Sequence, residues 1–98
     1  MYEIFFPTEY KKAVLNGTKN STIRVKKETG RYKVGKIYSA MSYAGKDWNI
    51  KVKILKVTKT KIGELAKAGI PEKNINSLNK KEKIFPNDRV EIIKFKTI

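Results

Sequence analysis

The chain has 98 residues, and its 23 lysines and arginines against 9 acidic residues give a formal net charge of +14. It has no cysteine and no histidine, which excludes disulfides, thiolate metal sites, a cysteine nucleophile and the usual general base. Because it lacks a signal segment and any long apolar run, we expect one cytoplasmic domain over residues 1–98 that does not cross a membrane.

The excess of positive charge favours a polyanionic partner, because it attracts phosphate backbones and makes their binding depend strongly on salt. Nearly all of this charge is lysine, since only Arg24, Arg31 and Arg89 are arginines. A biased genome composition or a hot habitat would also enrich lysine. Composition alone therefore leaves both explanations open.

The beginning of the chain predicts a strand followed by a short helix. Residues 2–6 form a β-rich run that ends at Pro7. Thr8 can cap a helix over residues 8–16, where apolar residues recur at helical spacing. Gly17 is expected to end this helix, because glycine readily adopts the left-handed backbone found after helices.

The segment 17–24 combines a turn, an amine, hydroxyl groups and a guanidinium within a few residues. Its second half predicts an extended strand on which Thr22 and Arg24 share one face. Ile23 and Val25 then point the other way, into a core. This pattern indicates one wall of an anion or nucleobase site.

The middle of the chain predicts a hairpin with a bulge. Residues 37–43 form a strand that turns at residues 44–47 into a long second strand beginning at Trp48. The apolar phase of that second strand shifts at Ile54 and Leu55, which indicates one extra residue. Such a bulge bends a strand so that a sheet can curl into a barrel.

The remaining segments complete an α+β pattern. A short helix is predicted over residues 62–68, a polar segment over residues 72–83, and a closing strand over residues 89–96. Strands outnumber helices, so we expect a small β-barrel or strongly bent mixed sheet with one to three short flanking helices. The phenylalanines are assigned to its core: Phe5, Phe6, Phe85 and Phe95.

These residues resemble the ASCH family, which consists of small domains of the PUA-like superfamily. The pattern Gly17-x-Lys19-x-x-Thr22-Ile23-Arg24 is similar to the family's Gly-x-Lys-x-x-Thr-x-Arg segment. Val34-Gly35 looks like the pair that opens the family's next strand. The resemblance implies a PUA-like β-barrel with a cleft lined by residues 17–24.

The resemblance also implies a link to RNA. Family members look like RNA-binding modules, one group is reported as ribonucleases, and a bacterial branch hydrolyses N4-acetylcytidine with a lysine, a threonine and a glutamate. Lys19 and Thr22 fall where that lysine and threonine would lie. The glutamate position holds Ala68, so Glu64 or Glu72 would have to supply the carboxylate.

The central lysine has two possible roles. Desolvated in a cleft beside Arg24, Lys19 would have a lowered pKa and could activate Thr22 or a water, whereas a solvated Lys19 only binds phosphate. We favour binding, because activation requires burial that a sequence does not show. Arg24 also has a purely structural alternative, an ion pair with Glu28 or Glu91.

The sequence therefore predicts binding of RNA or a modified nucleotide in a basic cleft, with an amidohydrolase or ribonuclease as the alternative. The predicted ligand-binding residues are Lys19, Ser21, Thr22, Arg24, Lys26, Tyr43 and Trp48. The two aromatic residues lie close to the hairpin turn, where they could stack on an unpaired base. The catalytic candidates are Lys19, Thr22, Glu64 and Glu72.

Further lysines, at positions 51, 53, 56, 59 and 61, follow the solvent side of the long strand. They form either a basic stripe or a merely solvated face. We expect a monomer that uses RNA or a nucleoside as its ligand and requires no metal and no cofactor.

Overall fold

A computed structural model describes residues 3–25, 28–67, 69–70, 72–73, 75–76, 85 and 87–98. The strands are β1 (Glu3–Phe6), β2 (Ser21–Val25), β3 (Ile37–Ser42), β4 (Asp47–Lys61) and β5 (Arg89–Thr97). A 3-10 turn (Thr8–Tyr10) leads into helix α1 (Lys11–Leu15), and a second 3-10 turn (Ile62–Glu64) follows β4. This order of strands and helical segments agrees with the order that the sequence predicts.

The five strands form one mixed sheet in the order β1-β3-β4-β5-β2. β1 and β3 are parallel, and the other neighbouring strands are antiparallel. The α+β prediction is thus confirmed at the level of a mixed sheet with one short helix. The described strands do not close into a barrel, because the two edge strands are joined by the side chain of Arg24 rather than by backbone hydrogen bonds.

Strand β4 pairs with β3 through its first part and with β5 through its remaining length. Its register against β5 shifts between Ile54 and Lys56, which leaves Leu55 as an extra residue. The predicted bulge is therefore confirmed. A bulge increases the local twist and bend of a strand, so this one helps the sheet to curl and bring its edges β1 and β2 closer together.

The main core lies on one side of the sheet. Its buried residues are Ile4, Phe6, Val14, Tyr32, Tyr38, Ala40, Trp48, Ile50, Val52, Ile54, Ile93 and Phe95. A smaller cluster contains Ile62, Leu65 and Val90, and Ile23 and Val25 pack against it. Because side chains alternate along a strand, Arg24 faces away from this smaller cluster. The predicted division of β2 into two faces is thus found.

Helix α1 is fastened to the sheet through Val14 in its last turn. Val14 is fully buried, and its carbonyl accepts a hydrogen bond from the hydroxyl of Thr97 on β5. Gly17 then has a φ of +82°, the left-handed backbone predicted for it. Thr8, the predicted cap, makes no capping hydrogen bond with its side chain.

The helix predicted after β4 is shorter than expected. Of the predicted helix over residues 62–68, the structure describes residues 62–67, and these form the 3-10 turn Ile62–Glu64 followed by further turns. Of the predicted segment 72–83, only residues 72–73 and 75–76 are described, and they are helical. None of the helices in the described ranges has the length and apolar composition that crossing a membrane requires.

Three predictions for aromatic residues are wrong. Phe5, expected in the core, is half-buried and lies outside both buried clusters. Trp48, expected near the surface, is only 7% exposed and stacks on Phe6 with 6.0 Å between ring centroids. Its strand position, one residue after the turn, faces the main core. Phe85, expected in the core, is 62% exposed. Its backbone N–H donates to the Asp88 carboxylate at 2.8 Å, in a turn that leaves the ring outside.

Candidate functional site

A cleft of about 840 Å³ opens between the edge strands β1 and β2. On one side it is lined by residues 5–7, and on the other by residues 18–25. The remaining lining residues are Tyr10, Ala13, Glu28, Tyr43 and Ile70. Most of the 17–24 segment singled out in the sequence therefore lies at the cleft.

The backbone around Gly17 sets the position of Lys19. After the left-handed turn at Gly17, the N–H of Lys19 donates to the carbonyl of Ala13 at 2.9 Å. The carbonyl of Asn20 then accepts from the N–H of Phe95 on β5 at 2.9 Å, which starts the pairing that continues through β2. Lys19 is thus held between the helix and the first sheet contact.

The Lys19 side chain folds back over the cleft wall. Its Nζ donates to the carbonyl of Ser21 at 2.9 Å and lies 4.8 Å from the centroid of the Tyr10 ring. Burial lowers the pKa of Lys19, and the positive charge of Arg24 lowers it further. A larger fraction of Lys19 is therefore neutral at a given pH than for a solvated lysine.

Arg24 is buried, with only 3% of its surface exposed, and its guanidinium joins the two edges of the sheet. Nη2 donates to the carbonyl of Phe5 on β1 at 2.8 Å, and Nη1 donates to the hydroxyl of Tyr43 at 3.3 Å. Nη1 also lies 3.6 Å from the carboxylate of Glu28. Nε has no hydrogen-bond partner among the described residues.

Two rings of the core lie beneath the guanidinium of Arg24. Its central carbon is 5.4 Å from the Phe6 centroid and 5.6 Å from the Tyr32 centroid. Burial raises the pKa of Tyr32, and the Arg24 charge opposes this effect. Glu91, which faces Arg24 across the strands, accepts a hydrogen bond from the N–H of Gly30 at 2.8 Å instead. Of the two predicted ion pairs, the structure has the one with Glu28.

Two tyrosine rings are accessible at the cleft. Tyr43 is 57% exposed, as predicted, and stacks on Phe5 with 6.3 Å between centroids. Tyr10 is 40% exposed and lies beside Lys19. The sequence pattern placed Tyr10 on the apolar side of a helix, so its role in the cleft was missed. The contact depends on how helix α1 and the turn at Gly17 bring Lys19 back beside Tyr10, which no local pattern reports.

The structure brings together some of the other predicted site residues but not all. Ser21 and Thr22 line the cleft, whereas Glu64 and Glu72 do not. Glu64 is exposed and pairs with Lys67 at 3.5 Å. Lys26 lies outside the described residues. Among the residues that the structure describes, Glu28 supplies the carboxylate that lines the cleft.

The sequence analysis predicts Glu28 only as an ion-pair partner of Arg24. A sequence signal for a place at the cleft exists, since Glu28 is the one acidic residue in the basic stretch 26–33. Among the described residues, the cleft combines the carboxylate of Glu28 with the cations Lys19 and Arg24 and the hydroxyls of Ser21 and Thr22. The described part of the chain contains no group of three or more acidic, histidine or cysteine residues placed to hold a metal ion.

No model of a known protein family and no curated protein sequence matches the chain. Solved structures do match. One is a protein of Enterococcus faecalis assigned to the family DUF984, with a TM-score of 0.70 and 14% identity, where the match covers 100% of this chain and 80% of the other. Another is an ASCH domain of Lactobacillus crispatus, with a TM-score of 0.58 and 16% identity, covering 98% and 80%. The chain therefore has an ASCH-like fold, as its Gly-x-Lys-x-x-Thr-x-Arg segment predicted.

Proposed function

We propose that the protein binds single-stranded RNA or a modified nucleotide in the cleft between β1 and β2. The observation that carries the proposal is the position of an exposed ring, Tyr43, beside the cations Lys19 and Arg24 in one cleft. Unpaired bases stack on aromatic rings, and their phosphates pair with cations. The fold supports the proposal too, because ASCH-like domains resemble RNA-binding modules.

The size and chemistry of the cleft suit a nucleotide. Its volume of about 840 Å³ lies within the range of small-molecule sites. The Tyr43 ring is already held by Phe5 on one side and by its hydrogen bond from Arg24, so little ordering is needed when a base stacks on it. The hydroxyls of Ser21 and Thr22 can donate to or accept from the edge of that base.

Arg24 and Lys19 have different roles in binding the ligand's negative charge. Most of the guanidinium of Arg24 is already bonded within the protein, so its main contributions are charge and the support of Tyr43. Lys19 bonds only one carbonyl and a ring in the described structure, and its three donors allow it to reach a phosphate as well. The net charge of +14 would steer a polyanion to this surface.

Binding of a labelled single-stranded RNA, followed by fluorescence anisotropy over a salt series, tests the proposal. Tyr43→Ala is expected to weaken binding about tenfold, because one stacked base contributes about 1–3 kcal/mol. Lys19→Ala is expected to weaken binding and to reduce the slope of log K against log salt by about 0.7, the value for one lost phosphate contact.

Lys36→Ala is the matched control, since Lys36 is exposed and does not line the cleft. It removes the same charge and should leave the affinity within about twofold of the wild type, as expected for a lysine that touches no phosphate. If Tyr43→Ala and Lys19→Ala bound RNA as well as Lys36→Ala does, the cleft would not be the binding site.

A second candidate function, hydrolysis of an acylated nucleoside, is favoured by a different observation. The pKa of Lys19 is lowered, and the carboxylate of Glu28 lines the same cleft. Neutral Lys19 could take a proton from a water, or from Thr22 to form an acyl-enzyme that a water then hydrolyses. In either case the oxygen attacks the amide carbon, the bond between that carbon and N4 breaks, and N4 takes the proton back from Lys19 as cytidine leaves. Glu28 would replace the missing acidic residue at position 68.

Turnover of N4-acetylcytidine to cytidine and acetate decides this second candidate. Because the base must be deprotonated, kcat/KM should rise with pH and level off above the lowered pKa of Lys19. Lys19→Ala should reduce kcat/KM about 100-fold or more, and Lys36→Ala should not change it. No turnover by the wild type, or turnover that Lys19→Ala leaves intact, would rule out the hydrolase.

A further inference from the structure

Lysines of the neighbouring strands β4 and β5 lie directly opposite one another in the sheet. The register places Lys53 opposite Lys96 and Lys56 opposite Lys94. Between these pairs, Ile54 lies opposite Phe95, and both are buried in the main core. Side chains of successive residues alternate between faces, so the four lysines project from the other face of the sheet. We call these four residues the lysine ladder.

The bulge at Leu55 is what aligns this ladder. Residues three apart on a regular strand point to opposite faces, which would separate Lys53 from Lys56. The extra residue at Leu55 restores the phase, so that both lysines meet a lysine of β5 on the same face. The bulge at Leu55 therefore affects the placement of the lysine side chains as well as the curvature of the sheet.

Like charges directly opposite each other on neighbouring strands destabilise a sheet. The salt bridges among the described residues are Arg24–Glu28 and Lys67–Glu64, so none of them neutralises the ladder. Three of its lysines are exposed, and Lys53 is half-buried. The ladder thus concentrates uncompensated positive charge at a fixed spacing, and an anionic polymer is the ligand that matches this arrangement.

The ladder is continuous with the cleft through a second groove of about 530 Å³. Lys94 and Lys96 line this groove, and so do Lys19 and Asn20, which also line the cleft. No acidic residue of the described chain lines the second groove. Exposed apolar side chains of Leu15 and Leu55 complete its surface. A strand leaving the cleft over Asn20 would therefore enter a groove that is positively charged and partly apolar.

We propose that an RNA strand with one nucleotide in the cleft continues over Lys19 and Asn20 into the second groove and across the lysine ladder. Residues two apart on a strand have Cα atoms about 7 Å apart, and the ammonium groups of Lys94 and Lys96 contact successive phosphates. The apolar side chains of the groove contact the sugars between those phosphates. This inference rests on the proposed function of the cleft and extends it from one nucleotide to a path along the strand.

The test compares a short and a long ligand. Cytidine monophosphate probes the cleft, and a single-stranded RNA of about 12 nucleotides, within the site sizes of single-strand binders, probes the whole path. Lys94→Gln combined with Lys96→Gln removes two charges from the ladder. As a control, Lys36→Gln combined with Lys46→Gln removes the same charge from exposed positions that line neither the cleft nor the second groove.

The ladder variant is expected to bind the long RNA at least about tenfold more weakly and to lower the salt slope by about 1.4, which corresponds to two lost phosphate contacts. It should bind cytidine monophosphate as the wild type does. Neutralising opposed lysines removes repulsion, so its melting temperature should not fall, and a circular dichroism melt checks this. The control variant should keep most of the affinity for the long RNA.

Equal binding of the long RNA by the ladder and control variants would overturn the proposed path, while a loss of cytidine monophosphate binding in Tyr43→Ala would still support the cleft. Weaker RNA binding in the ladder variant without any effect of Tyr43→Ala on either ligand would refute the cleft and with it the continuous path. If the ladder variant lost affinity only for vesicles of phosphatidylcholine and phosphatidylserine, the ladder would be a membrane surface and the RNA path would be wrong.

Discussion

Arg24→Ala is expected to lower the free energy of unfolding by about 3 kcal/mol, the range found when a large buried side chain is truncated. The largest loss is the charge-assisted hydrogen bond to the carbonyl of Phe5, which is typically worth about 1.5–3 kcal/mol. The ion pair with Glu28 contributes less than about 1 kcal/mol, because the Glu28 side chain is 31% exposed. For a domain of this size, the melting temperature should drop by about 15 °C.

Thermal and urea unfolding of Arg24→Ala measure this loss, and two further variants separate its causes. Arg24→Met keeps a long apolar side chain beside Phe6 and Tyr32 but removes the guanidinium and its hydrogen bonds, so it should recover part of the stability that Arg24→Ala loses. Arg89→Ala is the matched control, because Arg89 is exposed at the start of β5, and its effect should lie within about 0.5 kcal/mol. Equal stability of Arg24→Ala and Arg89→Ala would show that Arg24 does not join the edges in solution.

Phe6→Ala is expected to lower the free energy of unfolding by about 4 kcal/mol. The Phe6 ring is 1% exposed and contacts the rings of Trp48 and Phe95, with centroids 6.0 and 5.6 Å away. Its removal leaves a cavity beneath Arg24 that these rigid neighbours cannot fill. Because native proteins have only about 5–15 kcal/mol of stability, the variant should lose a large share of it and unfold at a clearly lower temperature than the wild type.

Phe85→Ala provides the comparison for Phe6→Ala, because it removes the same ring from a position that is 62% exposed. Its stability should lie within about 0.5 kcal/mol of the wild type. Differential scanning calorimetry of both variants measures the contrast. A large loss for Phe85→Ala would mean that this ring is covered in solution, and a small loss for Phe6→Ala would contradict the main core described above.

The role of Arg24 connects stability with function. Its guanidinium supports the Tyr43 ring and joins β1 to β2, and the cleft lies between those two strands. A residue of the characteristic segment can therefore be essential without contacting a ligand. Variants of Arg24 would alter the geometry of the cleft itself, which is why Lys19 and Tyr43 are the sharper tests of the proposed RNA site.

Much of the local structure could be predicted from the sequence. The hairpin between β3 and β4, the left-handed turn at Gly17 and the bulge at Leu55 all follow from neighbouring residues. Each is set by backbone preferences or by a shift in the alternation of apolar side chains. Both signals can be read from a few neighbouring residues in the sequence. The strands and their order along the chain were accessible for the same reason.

The contacts between elements distant in the chain could not be predicted from the sequence. Glu28 is the carboxylate at the cleft, whereas the sequence pointed to Glu64 and Glu72, because the distance of a residue from a site depends on how the chain returns to it. Trp48 looked exposed from its position near a turn, but the curl of the sheet directs it onto Phe6. Proximity along the chain is a poor guide to burial next to a bend.

The sequence by itself determined the positive charge, the segment around Lys19, Thr22 and Arg24, and the strand pattern that contains them, because these are properties of single residues and their neighbours. Only the tertiary structure decided that β1 and β2 form the two walls of one cleft, that Arg24 joins them, and that lysines of β4 and β5 oppose each other. These features depend on the register between strands far apart in the chain. Register follows from the packing of the whole core, which no local segment encodes.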